Sequence, residues 1–401
     1  MPGLPTLLAL SVAAATAPPL PQSDLAHRLD AVLETAVREE RIVGAVLLVK
    51  QDGATVYRRG VGFADREARR PMRADAIFRL ASVTKPIVTL AALRLVDQGR
   101  LRLDDPVTRW LPDFRPALPD GSTPPVTVHQ LLTHTAGLDN PGAQPPDGPY
   151  HRLGVSDGLD RDGVSLAENL RRIAAAPLAF APGQGWRYSL AIDVLGAVVA
   201  SAHGTDLPRA VAELVTGPLG MRDTAFSVAP SERVAVAYVD GDPWPRRMTA
   251  GTVVPLPEGL GHSLRFDPER AFDAGAFPSA GAGMLGTADD VARALEVFRG
   301  EGAGFLSEDA TTRAATDHVG AHAATQGPGW GFGYGGAVLV DPHAASTPQA
   351  RGTLQWGGVY GHTWFVDRAN GLTVVLLTNT ALEGMSGVLP REVRDAVYAG
   401  D

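Results

Sequence analysis

The stretch Ser82-Val83-Thr84-Lys85-Pro86, continued by a largely apolar run from Ile87 to Val96 and closed by Gly99, decides how this chain is read. Proline is tolerated in a helix only near its start, so the helix ending at Gly99 begins within about one turn of Pro86, with Ser82 at its N-terminal edge. A separation of three residues puts Ser82 and Lys85 on one face. The same helix start offers backbone N–H groups and positive dipole where an oxyanion would form. Serine becomes a nucleophile only beside a base, and a buried lysine among polar groups can act as one. Ser-x-x-Lys recurs by chance in chains of this size, but the cation usage adds weight. Of the 36 basic residues only Lys50 and Lys85 are lysines. A coding bias toward arginine explains the scarcity, yet it does not explain why an amine, which can lose its proton where a guanidinium cannot, was kept at position 85.

Composition removes several function classes. The 401 residues are 45% apolar and 20% charged, which is ordinary for a globular chain long enough for two or three lobes. The net charge of −8, with no basic block, provides no electrostatic footprint for nucleic acid. The absence of cysteine excludes disulfides, thiolate zinc sites and cysteine nucleophiles. No apolar run beyond the first residues approaches the roughly 20 needed for a bilayer span, so no integral membrane segment is expected. Residues 1–24 form an N-terminal arm or a candidate secretory leader, with an apolar stretch from Leu7 to Ala15 and Ala15-Thr16-Ala17 after it. They carry no Lys or Arg before that stretch, so a cytoplasmic location is favoured over a secreted or periplasmic one.

Working outward, Leu25 to Arg41 patterns as a helix, and Val43–Lys50 with Thr55–Gly62 about Asp52-Gly53 patterns as a β-hairpin. Near the C-terminus, Gly331–Val340, Thr353–Trp356, His362–Asp367 and Leu372–Thr378 pattern as strands and Val388–Tyr398 as a helix. Both ends are expected in one antiparallel sheet. Helical patterning dominates between them, at Ser82–Gly99, Val128–His134, Ser165–Ala176, Tyr188–His203, Leu207–Leu214 and Ala288–Gly300. The fold class is therefore α+β. Residues 25–401 are expected to form a single catalytic unit, with an α/β lobe of about 25–81 and 285–401 and a mainly helical lobe of about 82–284. Two Pro/Gly/Asp-rich stretches, Pro112–Pro125 and Asp139–Gly163, are candidate walls of a cleft.

A competing nucleophile is Ser156, in Gly154-Val155-Ser156-Asp157-Gly158. That G-x-S-x-G pattern needs a buried strand before it and a helix directly after it, whereas Gln144–Leu153 is Pro/Gly-rich and Leu159–Gly163 is polar. A loop serine between turn glycines is the expected reading. His129 and His134 lack a carboxylate at ligand spacing and are expected as hydrogen-bonded core histidines, with no metal site. His362 is expected either to line the cleft or to pack beside its strand. Trp186, Trp356, Tyr360 and Trp364 are aromatic candidates for an acyl pocket or for the core, and Trp356 is carried forward.

Three separated features together resemble a known group: Ser82-Val83-Thr84-Lys85, then Pro182-Gly183 leading to Tyr188-Ser189-Leu190, then Trp356-Gly357-Gly358 followed by Val359-Tyr360-Gly361-His362. Leu131 to Leu138 (LLTHTAGL) and Pro218 to Met221 (PLGM) support it, and the match runs from about Leu25 to the C-terminus. The chain resembles the serine hydrolases related to class C β-lactamases and penicillin-binding proteins, and within them the family VIII carboxylesterases of the esterase B type. The resemblance implies a β-lactamase/transpeptidase-like fold, an antiparallel sheet flanked by helices plus a mainly helical lobe. It implies Ser82 as nucleophile, Lys85 and Tyr188 as the proton-transfer pair, and an oxyanion hole from the backbone N–H groups of Ser82 and Val359. Substrate binding falls to Trp356, Gly357 and Gly358. No cofactor is implied, and the partner is a small-molecule ester.

Two departures from the β-lactamase pattern bear on substrate: Leu190 stands where those relatives place Asn, and Trp356 where they place Lys or His. A β-lactam presents a carboxylate and an amide, and the missing cation and carboxamide are their partners. The expected activity is therefore hydrolysis of short-chain carboxylic esters through a Ser82 acyl-enzyme, with little or no β-lactam ring opening. The alternatives are an amidase or D-aminopeptidase-like hydrolase of the same superfamily, and a non-enzymatic binding or assembly protein with the same fold.

Overall fold

A computed structural model describes residues 22–400 apart from 242, 301–303, 321–322 and 324–325. Most of the candidate leader, residues 1–21, lies outside the described residues, and Gln22 opens helix α1 (Gln22–Arg38). Eight antiparallel strands form the main sheet: β1 (Gly44–Gln51), β2 (Ala54–Asp65), β3 (Arg70–Pro71), β4 (Trp330–Phe332), β5 (Ala337–Leu339), β6 (Leu354–Gly358), β7 (His362–Asp367) and β8 (Leu372–Thr378). Their spatial order is β4-β5-β6-β7-β8-β1-β2-β3. The two ends of the chain thus meet at the centre of the sheet, where Val46 pairs with Leu377 and Leu47 with Leu376. The β1–β2 turn passes through Asp52 and Gly53 at φ 48° and 80°, the left-handed pair that a tight two-residue hairpin requires.

Both faces of the sheet are covered, which is why β8 is apolar except at Thr373 and Thr378 and all seven of its residues are buried. Alternation sorts the side chains. Ala45, Leu47, Val49, Phe365, Val374 and Leu376 face α1 and the C-terminal helix through Leu25, Leu29, Leu33, Leu389, Val393 and Val397. Val46, Leu48, Trp364, Val366, Val375 and Leu377 face the other way, into a larger core. That core is shared with α2 (Thr84–Asp97), α3 (Ala191–His203) and α4 (Ala288–Arg299), and the C-terminal helix α5 is Leu389–Tyr398. Lys50 is accounted for here, since its Nζ pairs with Glu296 of α4 at 3.5 Å.

Several stretches differ from their sequence patterning, among them the helix Glu308–Ala314, for which no element was expected. Gly331–Val340, expected as one strand, is a hairpin: β4 folds back on β5 with Trp330 opposite Leu339. Gly335, at φ 91°, provides the reversal. Thr252–Pro255 and Ser263–Phe266, for which no element was expected, form a second small hairpin. It packs on the long loop 139–163, where His262 N–H donates to Gly142 O at 2.7 Å. This loop carries Leu159 to a cluster with Ala282, Val359 and Tyr360, next to the strand end that follows β6. The other Pro-rich stretch instead sends Phe114 into the helical core.

Candidate active site

The chain enters the site through Phe78–Arg79, a short strand paired with Leu285–Gly286, and then turns sharply. Ala81 is fully buried at φ 44°, an unusual conformation for a residue with a Cβ, and it converts the strand into the 3₁₀ turn Ala81–Val83 from which α2 starts. Ser82 stands in that turn, and Lys85 follows one helical step later. Thr84 Oγ1 accepts from Met284 N–H at 3.1 Å and ties the segment around Gly281 to the turn.

Three of the sequence candidates converge on one oxygen. Lys85 Nζ donates to Ser82 Oγ at 3.2 Å, and the Tyr188 hydroxyl donates to the same atom at 2.7 Å. Lys85 Nζ also donates to Gly281 O at 2.8 Å and lies 4.7 Å from the centre of the Tyr188 ring. Tyr188 precedes α3 in a segment fixed on both sides. Ser189 N–H donates to His134 Nδ1 at 3.2 Å, and the His134 ring lies 4.9 Å from the Tyr188 ring. Trp356 also lies 5.1 Å from the Tyr188 ring, with its indole N–H directed at the tyrosine hydroxyl at 3.5 Å.

The third motif reaches the serine from β6. A Cβ on Gly358 would sit 2.7 Å from Leu80 O, and one on Gly357 would sit 2.7 Å from His362 O. Gly358 therefore lets the strand end close on the Ser82 turn, and Gly357 lets it pack against the start of β7. Val359 follows in a turn sealed by Gly361 N–H donating to Gly358 O at 2.8 Å, and Leu382 N–H donates to Val359 O.

The remaining candidates separate. Ser156 Oγ donates to Asp160 at 2.8 Å and accepts from Gly158 N–H, so it closes its own loop, as expected of a turn serine. His129 Nδ1 pairs with the Tyr334 hydroxyl at 2.9 Å, and both it and His134 are the hydrogen-bonded histidines that the sequence suggested. Trp364 is buried in the sheet core and Tyr360 is buried against Phe266. Trp186 and Trp356, with Phe332 between them, form an aromatic wall beside Tyr188 and His134. Leu190 is buried in the helical core and leaves no polar group at its position.

His362 packs rather than lining the cleft. Its Nε2–H donates to Arg79 O at 2.8 Å, and its buried Nδ1 has no partner, which fixes the neutral imidazole. Burial depresses its pKa to about 4, against an ordinary value near 6.5. Neutral His362 therefore stabilises the fold fully above about pH 6.5, and that support fades as pH falls toward 4, on the order of 3 kcal/mol in all. Asp157 acts in the opposite sense, because burial and Asp160 push its carboxyl up to about 7. The expected result is thus a difference between two chains: urea unfolding should lose less stability from pH 7 to pH 4.5 in His362→Gln than in the unaltered chain. Parallel losses would show that His362 does not titrate in this window.

Sequence reading passed over Asp193, Ser279 and Gly281. Asp193 is buried in the first turn of α3, where its Oδ1 accepts from Ser279 Oγ at 2.7 Å and from Gly281 N–H at 3.4 Å. Burial raises its carboxyl above the ordinary range, opposed by the Ser279 hydrogen bond and the Lys85 charge. The available signal was a lone carboxylate in the otherwise apolar Ala191-Ile192-Asp193-Val194-Leu195, five residues after Tyr188.

Comparison with known proteins agrees with this fold. The family model described as Beta-lactamase matches residues 29–398. Esterase EstB of Burkholderia gladioli is 62% identical over 384 residues, covering 96% of this chain and 98% of that protein. Lovastatin esterase of Penicillium rubens is 27% identical over 86% of this chain and 90% of its own. Among solved structures, EstCE1, described as a hydrolase with promiscuous acyltransferase activity, superposes with a TM-score of 0.93 at 50% identity, covering 94% of this chain and 99% of that one. Fold, motif order and near full-length identity to an esterase agree, and the chain belongs to the Beta-lactamase family, on its family VIII carboxylesterase branch.

Proposed function

We propose that this protein is a serine carboxylesterase that hydrolyses short-chain carboxylic esters through an acyl-enzyme on Ser82, with little or no β-lactam ring opening. The observation that carries this reading is the convergence of Lys85 Nζ and the Tyr188 hydroxyl on Ser82 Oγ, at 3.2 and 2.7 Å, in a chain 62% identical to an esterase. In acylation Ser82 Oγ attacks the ester carbonyl while the Lys85–Tyr188 pair takes its proton. The carbonyl electron pair moves to oxygen, where the N–H groups of Ser82 and Val359 receive it. Collapse expels the alcohol, which leaves with the proton returned by the pair, and water then repeats the sequence on the acyl carbonyl. No metal or cofactor enters these steps.

Substrate choice rests on Trp356 and its aromatic neighbours, with Gly357 and Gly358 keeping the strand end close to the acyl carbon. An ester needs little beyond the serine, the pair and the two N–H groups. A β-lactam must also be held by its carboxylate and amide, and each missing partner costs on the order of 1 to 3 kcal/mol, or about one to two decades in kcat/KM. An ester side group on a cephalosporin would be removed with the ring left whole. Amide hydrolysis is not favoured by the relatives named above, and a purely structural role would leave two polar groups, Lys85 and Tyr188, converging on one serine without a purpose. The acyl-enzyme would also pass its acyl group to an alcohol, in keeping with the promiscuous acyltransferase activity described for EstCE1.

The test is a panel of p-nitrophenyl esters run beside nitrocefin, with an added alcohol in one arm. Ester kcat/KM is expected to exceed that for nitrocefin by about 10² or more, with part of the acyl group recovered as the new ester. Nitrocefin opening at a rate comparable to p-nitrophenyl acetate would place the chain with the β-lactamases.

A further inference from the structure

We infer that Asp139 is a positioning residue: through Arg187 and Leu190 it grips the chain on both sides of Tyr188 and ties that segment to the first turn of the long loop 139–163. This inference rests on the esterase reading and deepens it. Asp139 opens the loop and is 5% exposed. Its Oδ2 accepts from Arg187 Nη1 at 2.7 Å and from Gln144 Nε2 at 2.8 Å, while its Oδ1 accepts from Asn140 N–H at 2.8 Å. Its backbone is engaged as well. Asp139 O accepts from Leu190 N–H at 3.1 Å, and Asp139 N–H donates to the Tyr150 hydroxyl at 3.0 Å. Gln144 Oε1 in turn accepts from Tyr150 N–H at 2.8 Å, so the start of the loop folds around the same carboxylate that holds Arg187.

His134 holds the segment from its other edge, where Arg187 N–H donates to His134 O at 3.0 Å and Ser189 N–H donates to Nδ1 at 3.2 Å. Asp139 supplies the second anchor. What the two anchors set is the 2.7 Å approach of the Tyr188 hydroxyl to Ser82 Oγ, and a displacement of about 1 Å in such a contact can cost up to about 10²-fold in rate. Among the described residues, Arg187 is the one cation paired with the Asp139 carboxylate. A buried carboxylate that loses its cation draws in water or turns toward other donors, and either response disturbs the first turn of the loop. Asp139 O moves with that turn and loosens its hold on Leu190. Arg187 itself is half-exposed, so its guanidinium can be removed without opening a cavity in the core.

The experiment is a double-mutant cycle of Arg187→Met with Tyr188→Phe, read as kcat and KM for p-nitrophenyl acetate, with thermal midpoints measured alongside. Arg187→Met keeps the length of the side-chain stem and removes every donor. Alone it is expected to lower kcat about tenfold with KM within about twofold, because the tether aligns a reacting group and does not hold the ester. Once the Tyr188 hydroxyl is gone there is nothing left to align. In the Tyr188→Phe background the same substitution is therefore expected to change kcat by less than about twofold. A general loss of structure would multiply through both backgrounds, so a tenfold loss that persists without the hydroxyl overturns the inference. An Arg187→Met variant with unchanged kcat overturns it too, and both results leave the esterase reading standing. Full kcat in Tyr188→Phe, or no ester hydrolysis by the unaltered chain, removes that reading and the inference with it. Should Arg187→Met fail to fold, Asp139→Asn takes its place in the cycle, and a loss undiminished in Tyr188→Phe sinks the inference.

Discussion

Replacing Ser82 with alanine is expected to lower kcat for p-nitrophenyl acetate by about 10⁴-fold or more, whereas Ser156→Ala should stay within about threefold of the unaltered chain. Both serines sit in motifs known for nucleophiles, and their surroundings separate them. Ser82 Oγ receives hydrogen bonds from an amine and a phenol, at 3.2 and 2.7 Å, and stands where a helix begins. Ser156 Oγ spends its proton on Asp160, an acceptor two turn residues beyond Gly158, and no lysine or histidine is hydrogen-bonded to it among the described residues. Alanine at 156 costs a loop contact, and alanine at 82 removes the atom proposed to form the acyl bond. Loss of activity in the Ser156 variant with retention in the Ser82 variant would reverse the assignment.

Tyr188→Phe is expected to lower kcat by about 10³-fold with KM nearly unchanged, because it deletes the atom proposed to transfer the proton and leaves the ring in place. Packing should survive, since His134 at 4.9 Å and Trp356 at 5.1 Å contact the ring and not the hydroxyl alone. The thermal midpoint should therefore move by only a few degrees, on the scale of one lost hydrogen bond. A variant retaining more than about a tenth of the activity would transfer the proton step to Lys85 alone.

The sheet and the first half of the site were legible for physical reasons. Apolar residues dominate β7 and β8, at Trp364, Phe365 and Val366 and at Leu372 and Val374 to Leu377, and the limits expected for both match the structure to the residue. Pro86 and Gly99 bracket α2 in the same way. Shorter elements escaped. The hairpin of Thr252–Pro255 and Ser263–Phe266 has strands of four residues, interrupted by Pro255 and Pro257 and carrying Arg265 outward, too little pattern to separate from a loop. Gly331–Val340 looked continuous because its reversal uses glycines, which a strand pattern tolerates poorly but does not forbid. Asp193 was missed for a different reason. Lys85, whose charge bears on it, is 108 positions away and its hydrogen-bonding residues, Ser279 and Gly281, are 86 and 88 positions away, so only tertiary packing joins them.

The central claim, that Ser82 forms the covalent ester intermediate, is tested most directly with a fluorophosphonate probe, which leaves a stable adduct on an activated serine. Labelled protein is digested and the modified peptide identified by mass spectrometry, while residual p-nitrophenyl acetate hydrolysis is followed in the same samples. The predicted result is a single adduct on the peptide carrying Ser82, rising in proportion to the activity lost and absent from Ser82→Ala. An adduct on the peptide carrying Ser156, or full ester hydrolysis after complete labelling of Ser82, would contradict it.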